Sequence, residues 1–563
     1  MVNKQKWFTR IKRRGEIFSL RWLSNDWAIS LILFLFAFLI RLPYLYDVPR
    51  FIDEWREIEL AAQIARGEIW PLHNTSHDIG AFHNYILAGL FRLFGFNVYI
   101  PRLYVMVTSA ATVVVTFWIA RHWAGRLTAV FAALLLATNS MHILVTHMAW
   151  SNDTTPFFVG LAVLISLKAM DQERRSLWAL TGFVWAIALQ THPSVIATLL
   201  GVIFYLARQF GWRAFYHARL RAGIAIFIAV YSNMILHNMI KPLDSVLWVK
   251  RKGYALNKEY SIQGYFHNML EMGGELIRAL ASAFPDGKGW LHGISSFLML
   301  LFIIGLVNGF KRLFHFRNGS FLLAIVISSF LVIPMLNGQY KFYIWTRYIA
   351  YLFPLCFVVV AIGFQAWIWS WVDRDRIRQW KQSLQFRSVL AAAWALILIL
   401  PLLHFYQYTE SYIQSGKDNS AEFLAVETLE SRYTNQTVIA VDKQVKQAEA
   451  VSKMLRVKGY RSPLIGVDPN EARKVQALQS NRIEKLDVTY KRWKNTFEQH
   501  QPDTVYVLSL KNKRIVTALF GITWIEGEII RGKSGKQIYF IGRIASFDSF
   551  TNHSVSFKRP AKH

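Results

Sequence analysis

The sequence has one cysteine, Cys356, and it falls inside an apolar run. No intrachain disulfide can form, and sulfur chemistry leaves the compartment open. Acidic residues are scarce, 35 Asp and Glu against 64 Lys and Arg, and the long apolar runs contain none of them. Ion-coupled carriers need ionisable groups inside their spans, so this shortage argues against pumps and transporters. The polar C-terminal part has no phosphate-binding glycine motif, and the apolar part has no internal repeat. No small-x-small cleavage pattern follows the first apolar run, which is read as an uncleaved span.

What is present is hydrocarbon. With 53% hydrophobic and 15% aromatic residues in many long runs, the chain reads as a polytopic α-helical membrane protein. The runs lie at 27–46 and at roughly 101–120, 127–147, 154–170, 177–191, 193–208, 223–240, 291–310, 320–337, 346–370 and 388–408, which makes about eleven spans. The net charge of +29 is spread between these runs rather than gathered on one soluble face, so it reflects membrane topology and excludes nucleic acid as partner. Residues 1–26, with Lys4, Lys6, Arg10, Lys12, Arg13, Arg14 and Arg21, form a basic N-terminus placed in the cytoplasm. Alternation then puts Arg121/Arg126, Arg174/Arg175, Lys311/Arg312 and Arg374–Arg387 on the same side, while an odd span count sends residues 409–563 outside. That segment turns polar, with strand-like runs at 437–441, 504–508 and 537–541 and helical spacing over 443–457, so a small extracytoplasmic α/β domain is expected. The location is a plasma membrane, crossed many times.

Between the first two spans lies Asp53-Glu54-Trp55-Arg56-Glu57. Four ionised groups in five residues belong in the headgroup region or in water. Two amphipathic segments, 54–66 and 82–94, are too polar or too short to cross and are read as interfacial helices. Helix capping explains Asp53 as well as chemistry does. Further acids stand near the same face, Asp78 in the following loop and Asp153 in Ser151-Asn152-Asp153, where Asp153 is also a good N-cap for the run that follows. His73, His77, His83, His142, His147, His192 and His237 fall there too. Interfacial hydrogen bonding is preferred over metal ligation for them, no metal ligand is assigned, and the cofactor is left open with a divalent metal as its candidate. Trp345-Thr346-Arg347-Tyr348 opens a late span, where Arg347 also suits a snorkelling role. The 241–290 loop, placed outside by the span count, is rich in cations, with Lys241 just after the seventh run.

Taken together, residues 27–370 resemble the GT-C superfamily of membrane glycosyltransferases, in particular the branch of the protein O-mannosyltransferases and lipid A aminoarabinose transferases. The resemblance rests on Asp53-Glu54 with Arg56 in the first outer loop, on a second interfacial helix running from Phe82-His83-Asn84-Tyr85-Ile86-Leu87 to Phe94-Gly95, on Asp153, and on Arg347-Tyr348 with Pro354. Where the family has Lys-Pro-Pro or a related turn before that helix, this chain reads His77-Asp78-Ile79-Gly80. The resemblance implies a GT-C-like transmembrane domain over 27–408, its catalytic region at 47–100. It further implies transfer of a hexose or pentose from a polyprenyl-phosphate-sugar donor to a hydroxyl of a lipid, glycan or protein acceptor, usually with inversion, in cell-envelope glycosylation.

Such chemistry needs a carboxylate to take the acceptor proton and cations for the departing phosphate. Asp53 suits the base, with Glu54 and Asp153 as further catalytic acids. Arg56, Lys241 and Arg347 are candidates for phosphate, and Asp78, His83 and Tyr348 complete the substrate-binding set. A transporter or flippase of a lipid-linked saccharide is the alternative function, and a membrane receptor with an outer sensing domain a third.

Overall fold

The computed structural model describes residues 25–211, 216–251, 261–283, 290–336, 346–371, 384–445, 447–466, 504–520 and 522–546, together with Trp493 and Phe497. Helices occupy every apolar run. They are α1 (Asp26–Leu39), α4 (Ile100–Trp123), α5 (Arg126–Thr138) with the short α6 (Ser140–Val145), α7 (Thr155–Gln172), α8 (Arg175–Thr191), α9 (Val195–Phe210), α10 (Ala218–Val230) with α11 (Ser232–Ile240), α14 (Trp290–Leu313), α15 (Gly319–Leu336), the short α16 (Thr346–Ile349) with α17 (Phe353–Trp371), and α18 (Leu384–Gln414). The two interfacial segments are α2 (Asp53–Arg66) and α3 (Phe82–Phe94).

Four stretches among the described residues are long and apolar enough to cross a membrane: Ile100–Trp123, Ser151–Gln172, Ser295–Leu313 and Thr346–Trp367. A fifth is the pair α10 and α11, bent by 55° at Tyr231, and the shorter apolar helices include α1, α5 and α9. The 241–290 loop is itself helical, with α12 (Asp244–Arg251) and the amphipathic α13 (Ile262–Leu280), whose buried face is Met272, Glu275, Leu276, Ala279 and Leu280. Part of its cation excess is neutralised internally, since Arg278 pairs with Glu275 one turn earlier. The side chains of Lys250-Arg251-Lys252, and most of residues 1–26, lie outside the described residues.

The chain divides into two compact units, one of residues 1–49, 63–93 and 99–410, the other Arg50–Ala62, Phe94–Val98 and Ser411–His563. In the first, helices close tightly where glycine removes the side chain. Gly305 and Gly309 on α14 meet Gly363 and Val359 on α17, and a β-carbon on Gly309 would overlap the Val359 carbonyl. Gly182 on α8 meets Gly223 on α10 in the same way. Without a hydrophobic drive between helices in lipid, such backbone contact is what associates them.

The second unit holds α19 (Ser420–Arg432), β1 (Val438–Asp442), α20 (Ala448–Val457), β2 (Leu464–Ile465), β3 (Thr504–Ser509), α21 (Leu510–Phe520), β4 (Thr523–Arg531) and β5 (Gln537–Ser546). The strands form one sheet in the order β2-β1-β3-β5-β4. β1 runs parallel to β2 and β3, with Val438 opposite Thr504, and β5 runs antiparallel to β3 and β4. The domain is α/β as expected, and the strands over 464–465 and 523–531 are additions. Its buried strand residues Ile439, Ala440, Val441, Val505 and Val507 read as short continuous apolar runs, as strands covered on both faces do.

Candidate active site

In the second unit the residues of interest stand on the first turns of α2. Acids at its start, Asp53 and Glu54, and Arg66 in its last turn match the helix dipole. Trp55, Ile58, Ala61 and Ala62 form a wholly buried stripe, and the Trp55 ring lies 5.6 Å from that of Phe423. Glu54 and Glu57 are buried as well, whereas the Asp53 and Arg56 side chains are 41% and 45% exposed. Capping does not occupy Asp53. Among the described residues its one hydrogen bond comes from Arg56 Nη1 to Oδ1 at 3.2 Å.

Arg56 also donates from Nε and Nη2 to Glu449 Oε1 and Oε2 at 2.8 and 3.1 Å. The hydrogen bond from Arg56, with the charges of Arg56, Lys453 and Arg456, holds the Glu449 carboxyl below the usual carboxylate range against partial burial. Glu449 is therefore ionised at neutral pH. Glu59 is paired with Lys453 and Arg456 of the same helix, α20. Arg50 approaches Glu422, which accepts a 2.5 Å hydrogen bond from Tyr539, and burial pushes the Glu422 carboxyl up.

In the first unit three histidines converge. The loop between α2 and α3 brings His73 and His77, α11 brings His237, and one ring nitrogen from each lies within 4.8 Å of the others. The loop is pinned by Asn74 N donating to Ile79 O at 2.9 Å, by Ser245 Oγ to His77 O at 2.7 Å and by Asn233 Nδ2 to Leu72 O at 2.7 Å. Asp244, at the start of α12, sets one oxygen 2.6 Å from His77 Nδ1 and 3.1 Å from His237 Nε2, and Trp248 stacks on His77 at 4.1 Å. His73 Nδ1 must carry a proton, because it meets the Asn74 carbonyl at 2.6 Å, and this leaves Nε2 with its lone pair. Burial chiefly, with the charges of His237, His77 and Lys241, lowers the His73 pKa, so its neutral, ligating form dominates at pH 7. Lys241 is the C-cap of α11 and donates its N–H to His237 O, and Asp78, half-buried, follows His77 in the loop.

A third group, also in the first unit, gathers Asp153, Arg347 and Tyr348. The guanidinium of Arg347 lies 4.4 Å from the Trp150 ring centre and 5.1 Å from that of Tyr348, and His192 stacks on Tyr348 at 4.8 Å. Asn152 Nδ2 donates to Arg347 O at 3.4 Å. Asp153 does not cap α7. Residues Ser151–Thr154 form a 3-10 turn, Thr154 takes the N-cap position, and Asp153 is buried. His83 is buried at the start of α3, its ring 5.7 Å from that of Tyr104. Sequence reasoning passed over the His73-x-x-x-His77 spacing, and it had no signal for Asp244 or Glu449.

The chain has a GT-C-like membrane fold. Residues 78–237 match the family model described as dolichyl-phosphate-mannose-protein mannosyltransferase. The chain is similar in structure to ArnT from Cupriavidus metallidurans bound to undecaprenyl phosphate, at 13% identity and a TM-score of 0.60, covering 93% of this chain and 98% of that one. It is also similar to the Archaeoglobus fulgidus oligosaccharyltransferase in the apo form, at 12% identity and a TM-score of 0.51, covering 91% of this chain and 74% of that one. No curated protein sequence matches the chain.

Proposed function

We propose that the protein transfers a hexose or pentose from a polyprenyl-phosphate donor to a lipid, glycan or protein hydroxyl at the outer membrane face, in one inverting displacement. The observation that carries this reading is the Asp53 carboxylate: half-exposed, at the start of a helix that does not span, with one oxygen held by Arg56 and the other without a partner among the described residues. The acceptor oxygen attacks the anomeric carbon, its proton passes to Asp53, and the bond from that carbon to the phosphate oxygen breaks. Proton transfer to a carboxylate comes late, once the bonded oxygen has become acidic. The ArnT to which the chain is similar holds undecaprenyl phosphate, which supports a lipid phosphate as the leaving group.

Arg347 and Lys241 are the cations for that phosphate. Arg56 is less suited, since three of its donors already serve carboxylates. Glu54 and Asp153 stand as further acids, and Asp78, His83 and Tyr348 as substrate contacts. The basic N-terminus is cytoplasmic and the C-terminal domain extracytoplasmic.

His73, His77 and His237, with Asp244 beside two of them, fit a divalent ion of zinc type, which favours imidazole and carboxylate ligands. Bound there, it would supply positive charge for an anionic oxygen.

Three measurements test these readings. Purified protein is given a panel of undecaprenyl-phosphate-linked hexoses and pentoses with a cell-envelope extract as acceptor, and released undecaprenyl phosphate is followed. The wild type should consume at least one donor, and Asp53→Asn should be slower by about 10²- to 10⁴-fold. An inert wild type, or an Asp53→Asn variant at full rate, contradicts the reading. Protein stripped with a chelator should rebind close to one Zn²⁺ per chain by calorimetry, and His77→Ala and His237→Ala should lose it. Equal binding by those variants would remove the metal. For topology, a cysteine at exposed Thr434 should react with an impermeant maleimide in intact cells, against a background set by buried Cys356. Labelling only after lysis would place the domain inside.

A further inference from the structure

The first turns of α2 are held by α20, and the contact is ionic at two levels. Arg56 lies between two carboxylates, giving its Nε and Nη2 edge to Glu449 and its Nη1 to Asp53 Oδ1. A guanidinium is planar and rigid, so a carboxylate that takes one edge as a fork also fixes the direction of the remaining nitrogen. Glu59, about one turn along α2, is paired with Lys453 and Arg456, which follow Glu449 on the same face of α20. Two contacts one turn apart set both the rotation and the height of α2 against α20.

Asp53 and Arg56 stand three residues apart on a helix, where such side chains meet. If Glu449 did not hold the forked edge, that edge could turn onto Asp53 and occupy both carboxylate oxygens. A base needs one oxygen open to the incoming hydroxyl. We propose that Glu449, acting through Arg56, is a positioning residue for Asp53: it restricts the guanidinium to a single contact on Oδ1 and keeps Oδ2 available for the acceptor proton. This rests on Asp53 being the base. It gives the C-terminal unit a part in the transfer step itself, separate from any role in holding an acceptor.

The test compares the wild type with Asp53→Asn, Glu449→Ala, Glu449→Asp, Arg56→Met and the double variant Glu449→Ala/Arg56→Met. Each is assayed on the undecaprenyl-phosphate sugar that the wild type consumes. Glu449→Ala should lower kcat by about 10- to 100-fold, as misplacement of a reacting group does, at an unchanged donor KM. Glu449→Asp should recover part of the loss. The diagnostic variant is the double one, which should be faster than Glu449→Ala alone, because the group that closes Oδ2 has gone. A merely structural role for Glu449 gives no such suppression. If Glu449→Ala cannot be purified, Glu449→Gln, which keeps the size but breaks the fork, takes its place with the same expected suppression by Arg56→Met. Wild-type kcat in Glu449→Ala, or a double variant no faster than Glu449→Ala, overturns the positioning role while an inactive Asp53→Asn leaves the base reading standing. Full activity of Asp53→Asn overturns both.

Discussion

Placing an ionised side chain at the centre of a bilayer costs about 2.5–3.5 kcal/mol on insertion scales, and more without partners. This cost decides where the chain keeps its acids. The apolar runs contain no acid, and Asp53, Asp78, Asp153 and Asp244 all stand in loops or at helix starts. Where cations enter the helical unit they are wrapped in acceptors. Arg41 is fully buried and donates to Ser109 Oγ, to the carbonyls of Ala37 and Ala137 and to His142 Nδ1, at 2.8 to 3.1 Å. Arg102, also buried, donates to the carbonyls of Leu45 and Pro49 at 2.8 and 2.9 Å. It thereby pins the end of the first helix's exit loop, and the chain reaches Asp53 four residues later.

The same constraint shapes each of the three side-chain groups. His77 of the α2–α3 loop and His237 of α11 share one carboxylate, Asp244, while His73 donates to the Asn74 carbonyl, so the three cluster without bringing an unbalanced charge. Arg347 is covered by the faces of Trp150 and Tyr348, which attract a cation through their ring electrons. Arg56 has two carboxylates for one guanidinium. Such ion pairs, half-exposed, contribute little to stability in themselves. Their effect is geometric, in fixing the directions of the groups they join.

Much of this was legible before the structure. Segment 82–94 folds as the helix its periodicity predicts, and 54–66 differs by one residue. Every apolar run is helical, and the strands at β1, β3 and β5 follow from short apolar runs in a polar context. The helix over 262–280 was not legible, because its apolar positions are interspersed with polar and charged residues in a cation-rich segment between apolar runs. Nor was the partner of Arg56, which lies 393 residues away, or the Asp244 that joins His77 across 167. Local periodicity reports which face of a helix is buried, but it carries no information on which distant charge meets it. The reading of Asp153 as a cap failed for a local reason: a 3-10 turn moves the capping position to Thr154.

A single displacement assisted by one base has a stereochemical consequence that binding or retention of lipid cannot imitate. The most direct measurement is therefore the anomeric configuration of the transferred sugar, read by NMR from an undecaprenyl-phosphate donor of defined anomer. The account predicts a product of the opposite configuration. A product that keeps the donor's configuration would require a second displacement, and would contradict Asp53 as a base in a one-step transfer.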